Sequence, residues 1–145
     1  MDELWAADLI DMQAFSNDNN GIKYFLTVID IFSKFVWIIP IKRKTGQEVA
    51  NAFLRILKER RPSKMWVDKA REFYNKDAQK QFELYSTKNE KKCCVIERFN
   101  RIITEKMFGY FSANNTTKYV DVLDLLVDQY NNAFIDKYDS EGGKS

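Results

Sequence analysis

In Leu4-Trp5-Ala6-Ala7-Asp8-Leu9-Ile10-Asp11-Met12 an apolar run carries one acid at its middle, Asp8, and a second, Asp11, near its end. The run reads as a first strand, with Asp11 a surface acid near its end. Ser16 to Gly21 is polar and closes on Asn20-Gly21, a pair that marks a chain reversal. Ile22 to Ile29 and Phe35 to Ile41 are rich in β-branched and aromatic residues, so both read as strands, joined by a turn over Asp30 to Lys34. Thr45-Gly46-Gln47-Glu48 places a hydroxyl three residues before a Glu, the pattern of a capping box. Val49, Ala50, Phe53, Leu54 and Leu57 then follow at helical spacing until Pro62. Met65-Trp66-Val67 is a short buried strand ending at Asp68, and Phe82 to Tyr85 is a further strand candidate. Helices are expected over Cys94 to Phe111 and Thr116 to Asn132. The residues after Asp136 have the composition of a frayed polar tail.

The composition limits what this succession can be. A chain of 145 residues with 45% hydrophobic and 14% aromatic content buries one core, so residues 1–135 read as a single domain and 136–145 as its tail. With 23 basic against 21 acidic side chains the net charge is +2, and any nucleic-acid partner has to be met by a local patch. Cys93 and Cys94 are the only cysteines and the chain has no histidine, which argues against a zinc site. The same count argues against a disulfide framework and fits a reducing compartment. No signal-like N-terminal segment and no apolar run of membrane-spanning length is present.

Three short segments carry the chemistry: W-A-A-D-L (Trp5–Leu9), W-V-D-K-A-R-E-F (Trp66–Phe73) and V-I-E-R-F-N-R (Val95–Arg101). Each contributes one carboxylate, Asp8, Asp68 and Glu97. Acids brought together from separate elements suit hard divalent cations, and Mg²⁺ or Mn²⁺ so held suits phosphodiester chemistry. Taken singly, each acid has an ordinary explanation. Asp8 and Asp68 could be turn formers or caps, and Glu97 a first-turn acid favoured by the helix dipole. Asp30 reads as a turn former. Phe25, Phe32, Phe35, Trp37, Phe53 and Trp66 read as core, and Cys93 and Cys94 as small apolar residues beside a helix start.

In this order, and with I-D-I-F-S-K (Ile29–Lys34) between the first two, the segments resemble the catalytic core of retroviral and retrotransposon integrases. They are most similar to the integrases of large eukaryotic DNA transposons, in the ribonuclease H-like superfamily. The resemblance runs from about Trp5 to about Asn132. It implies an α/β fold, ribonuclease H-like, with a five-stranded mixed sheet flanked by helices. Asp8 would lie on the central first strand and Asp68 at the end of the parallel fourth, with Glu97 reaching the same edge from a helix start. It further implies a two-metal site of Mg²⁺ or Mn²⁺ held by those three residues. Such a site nicks and transfers DNA strands as a polynucleotidyl transferase or nuclease, without a side-chain nucleophile or a small-molecule cofactor. DNA is the implied partner, with homo-oligomerisation through surfaces outside the acid cleft, no membrane, and nuclear residence.

Glu97, Asn100, Arg101 and Thr104 share one helix face, while Ile96, Phe99, Ile103 and Met107 turn toward the core. The resemblance makes Asn100 and Arg101 contacts to the DNA backbone. Lys88, Lys91 and Lys92, in the segment expected to be the preceding loop, read as a local phosphate patch. Two departures bear on activity. Only 28 residues, Lys69 to Ile96, separate the second acid from the third, several fewer than the resemblance implies, and Ala70 stands where a Gly is usual. A catalytically impaired remnant, acting at most as a nucleic-acid-binding or dimerisation module, is therefore the alternative reading.

Overall fold

The computed structural model describes residues 4–43, 46–60, 62–67 and 93–142. Strand β1 (Leu4–Asp11) pairs antiparallel with β2 (Tyr24–Asp30), which pairs antiparallel with β3 (Val36–Ile41). A fourth strand, β4 (Lys64–Val67), lies parallel to β1 on its other side, so the sheet order is β3-β2-β1-β4. The sheet is mixed, with β1 interior, as the run around Asp8 requires. Phe82 to Tyr85, the candidate for a fifth strand, lies outside the described residues.

Alternation along the strands sorts the core into two layers. Trp5, Ala7, Leu26, Val28 and Ile41 face helix α1 (Gly46–Leu57), whose Val49, Ala52, Phe53, Ile56 and Leu57 cover that side. Leu4, Ala6, Phe25, Ile29, Val36 and Ile38 face the opposite way. They pack under helix α2 (Cys93–Asn114) through Ile96, Phe99, Ile103, Met107 and Phe111, and under α3 (Leu123–Gly142) through Leu123 and Tyr130. The result is helix, sheet, helix, with the two acids of β1 on different sides. Asp8 shares the parity of Leu4 and Ala6 and therefore points under α2.

Polar side chains join the layers. Asn131 on α3 is 6% exposed; its Nδ2 donates to the Val36 carbonyl at 3.0 Å and its Oδ1 accepts from the Val36 amide at 2.9 Å. The side-chain amide thus pairs with edge strand β3 as a neighbouring strand's peptide would. Pro40, which has no amide to offer a ladder, is tolerated on the same strand. In the β2–β3 turn Asp30 accepts from the amides of Phe32 and Ser33 and forms a 3.2 Å ion pair with Arg60 beyond α1. Arg60 lies over the rings of Phe35 and Trp37. Asp30 is a turn former as its position suggests, and also a buried anchor for that cation.

Four expectations need correction. A 3-10 helix (Gln13–Asp18) occupies the start of the stretch read as merely polar, while the chain reverses where expected, at the left-handed pair Asn20 (φ 58) and Gly21 (φ 79). Helix α3 starts at Leu123 instead of Thr116, because residues 116–122 form a connection pinned by Asn19. It then runs to Gly142, through residues whose composition suggests fraying; no helix-breaking residue interrupts the stretch before Gly142. Phe32, expected in the core, is 57% exposed because the turn carries it outward. Thr45 of the expected capping box lies outside the described residues, and Glu48 accepts from the Arg43 amide at 2.6 Å ahead of α1.

Candidate metal centre

Asp8 sits on the interior strand, 6% exposed, opposite Thr27 in the β1–β2 register. Its Oδ1 accepts the Leu9 amide at 2.8 Å, and its Oδ2 accepts Asn100 Nδ2 at 3.2 Å. Leu9 is two residues past Ala7, which pairs with Val67 in the last described rung of the β1–β4 ladder. A carboxylate whose two oxygens are held by separate donors has a fixed orientation, the condition that outer hydrogen bonds impose on a metal-ligating acid.

The second acid lies on the same α2 face as Asn100. Glu97 precedes Asn100 by three residues, one turn of helix, and is exposed, as is Arg101. Ile96, Phe99, Ile103 and Met107 are all buried against the sheet, so the stripe of Glu97, Asn100, Arg101 and Thr104 emerges as its spacing suggests. Thr104 is turned back on its own helix, its hydroxyl donating to the Asn100 carbonyl at 2.7 Å. Asn100 is half-buried, with its amide directed at Asp8 and at Thr27, which supplies the other side of the contact at 3.0 Å. The residue that composition missed is Thr27: fully buried, it shows nothing in the sequence except its place in an apolar strand.

Asp68 follows β4, whose last residue, Val67, is in register with Ala7, the residue before Asp8. Asp68, Lys88, Lys91 and Lys92 themselves lie outside the described residues. Among the described residues no three His, Cys, Asp or Glu side chains form a cluster able to hold a metal, and no helix is long and apolar enough to cross a membrane. The two acids of the three that are described, Asp8 and Glu97, carry hard oxygens of the kind that Mg²⁺ and Mn²⁺ prefer.

No protein-family model matches the chain. Its fold is that of the integrase catalytic core. The catalytic core domain of BIV integrase superposes with a TM-score of 0.65 at 16% identity, over 88% of this chain and 82% of that one. A chain of the simian T-cell lymphotropic virus intasome, determined in complex with the PP2A regulatory subunit B56 gamma, superposes with a TM-score of 0.69 at 21% identity, over 87% of this chain and 47% of that one. In sequence, an uncharacterised transposon-derived protein of Caenorhabditis elegans is 36% identical over 129 residues, which is 84% of this chain and 45% of the relative. The chain thus spans under half the length of that curated relative.

Proposed function

We propose that this domain is the catalytic core of a transposon-derived integrase, ribonuclease H-like with a five-stranded sheet, that nicks and transfers DNA strands. Asp8, Asp68 and Glu97 would hold Mg²⁺ or Mn²⁺. The observation that carries the reading is Asp8 itself: an interior-strand carboxylate, with each oxygen fixed by a separate donor and an α2 face that presents Glu97 one turn before Asn100. Similarity to an intasome chain and to a transposon-derived protein supports the same direction.

Bound cations would supply activation of the attacking oxygen and stabilisation of the leaving one. The chain's own contribution is placement. The β1 backbone sets Asp8, the Leu9 amide and Asn100 set its rotamer, and the α2 helix start presents Glu97. Arg101, exposed on the same face, would receive a DNA phosphate together with Asn100, and Lys88, Lys91 and Lys92 would extend that contact along the backbone. No side-chain nucleophile is needed, and DNA and further copies of the chain are the partners this reading implies.

The test is purified protein with Mn²⁺ and an end-labelled DNA duplex. Nicked or joined product that disappears in Asp8→Asn is expected; product of equal yield from that variant contradicts the assignment. The 28-residue interval between Asp68 and Glu97 favours one competing reading, a remnant that retains DNA without cutting it. Salt-sensitive DNA binding with no product at any Mn²⁺ concentration would identify that remnant.

A further inference from the structure

The hydroxyl of Thr27 lies between two acceptors, the Asn100 Oδ1 at 3.0 Å and the Asp8 backbone carbonyl at 3.2 Å. A hydroxyl has one proton to give, and Thr27, 0% exposed, has no solvent to share it with. The chemistry of the neighbours fixes the arrangement. Asn100 turns its Nδ2 toward Oδ2 of the Asp8 carboxylate, 3.2 Å away. Its Oδ1 then faces Thr27, which completes the arrangement only by donating.

We propose that Thr27 is a positioning residue, which acts through Asn100 to hold the Asp8 carboxylate in the orientation a divalent cation requires. The inference rests on the metal-site reading above. Three elements converge on the relay: β2 supplies the hydroxyl, α2 the amide and β1 the carboxylate. Each link lies on the sheet face under α2, partly shielded from water, which strengthens the hydrogen bonds. If Thr27 loses its hydroxyl, Asn100 keeps its place on the helix and its Nδ2 toward Asp8, but its Oδ1 loses the donor that holds the amide plane from the other side. The carboxylate then regains rotational freedom that cation binding must remove.

The experiment uses the whole chain, labelled with ¹⁵N, as wild type, Thr27→Val and Thr27→Ser. Val keeps the shape of Thr and removes only the hydroxyl; Ser keeps the hydroxyl. The first measurement needs no metal. In the wild type the Asn100 side-chain NH₂ protons should exchange slowly and resonate away from free-amide positions, and in Thr27→Val both features should be lost. An Asn100 amide that exchanges in the wild type like a free asparagine overturns the proposal, whether or not any variant folds. The second measurement is the Mn²⁺ affinity by calorimetry, expected to fall about tenfold in Thr27→Val, at the lower end of the effect of an outer-shell metal partner, and to be recovered in Thr27→Ser. A Thr27→Val protein that folds and binds Mn²⁺ as tightly as wild type refutes the role of Thr27. A wild type that binds no Mn²⁺ refutes the metal site instead, and the amide measurement still decides the relay.

Discussion

Tyr119 is fully buried and stands edge-on to Phe25 at 5.0 Å between ring centroids, and its hydroxyl is the one buried side-chain polar atom among the described residues with no hydrogen-bond partner. A desolvated hydroxyl with nothing to bond is a cost, so Tyr119→Phe should leave stability unchanged or raise it by about 1 kcal/mol in urea unfolding; a clear loss would mean a partner exists. Burial also pushes the phenols of Tyr119 and Tyr130 up from 10.0 to about 12. The folded state prefers the neutral form, so the stabilisation is complete below the unfolded value of 10 and is lost as pH rises toward 12. Denaturation midpoints should therefore fall between pH 10 and pH 12, and less steeply in Tyr119→Phe. Arg60 gives the opposite kind of prediction. It is the charged partner of a fully buried Asp30, and Arg60→Met should destabilise by about 2 kcal/mol, because the acid keeps its turn amides but loses its cation.

Between elements, Asn19 ties the 3-10 segment to the α2–α3 connection. Its Nδ2 donates to the carbonyls of Phe15 and Thr117 and its Oδ1 accepts the amides of Tyr119 and Val120, all inside a fully buried side chain. Asn19→Ala should cost about 3 kcal/mol and speed amide exchange at Tyr119 and Val120 ahead of the β1–β2 ladder; uniform exchange across the sheet would contradict the local role. Helix α2 ends just before this connection in a left-handed Asn115 (φ 49), with the Thr116 amide returning to the Phe111 carbonyl, which closes its last turn. Strands and helix faces were readable from the chain because their signals are local: the apolar run and the β-branched and aromatic content placed β1 to β3, and the spacing of Ile96, Phe99, Ile103 and Met107 placed the buried side of α2. Asn19, Asn131 and the Asp30–Arg60 pair were not readable, since their partners lie far along the sequence and an Asn or Arg looks the same there as on a solvated surface. The start of α3 was misplaced for that reason.

For the molecule as a whole, topology turns separate acids into a candidate site. Distance along the sequence has no meaning to a cation, but an interior strand with a parallel neighbour on one side and α2 across its face does. The place of Asp8 on a strand and the outward face carrying Glu97 were legible from apolar flanks and helical spacing, whereas the Thr27 contact needed β1 and β2 in register. Asp68 enters this account through the register of β4 alone, in which Val67 pairs with the residue before Asp8. The proposed metal centre therefore requires three carboxylates that share cations. Calorimetric titration of the wild type, Asp8→Asn, Asp68→Asn and Glu97→Gln with Mn²⁺ tests it most directly: saturable heat in the wild type that each substitution removes or greatly weakens is the predicted result, and a wild type without heat, or one whose binding survives all the substitutions, contradicts it.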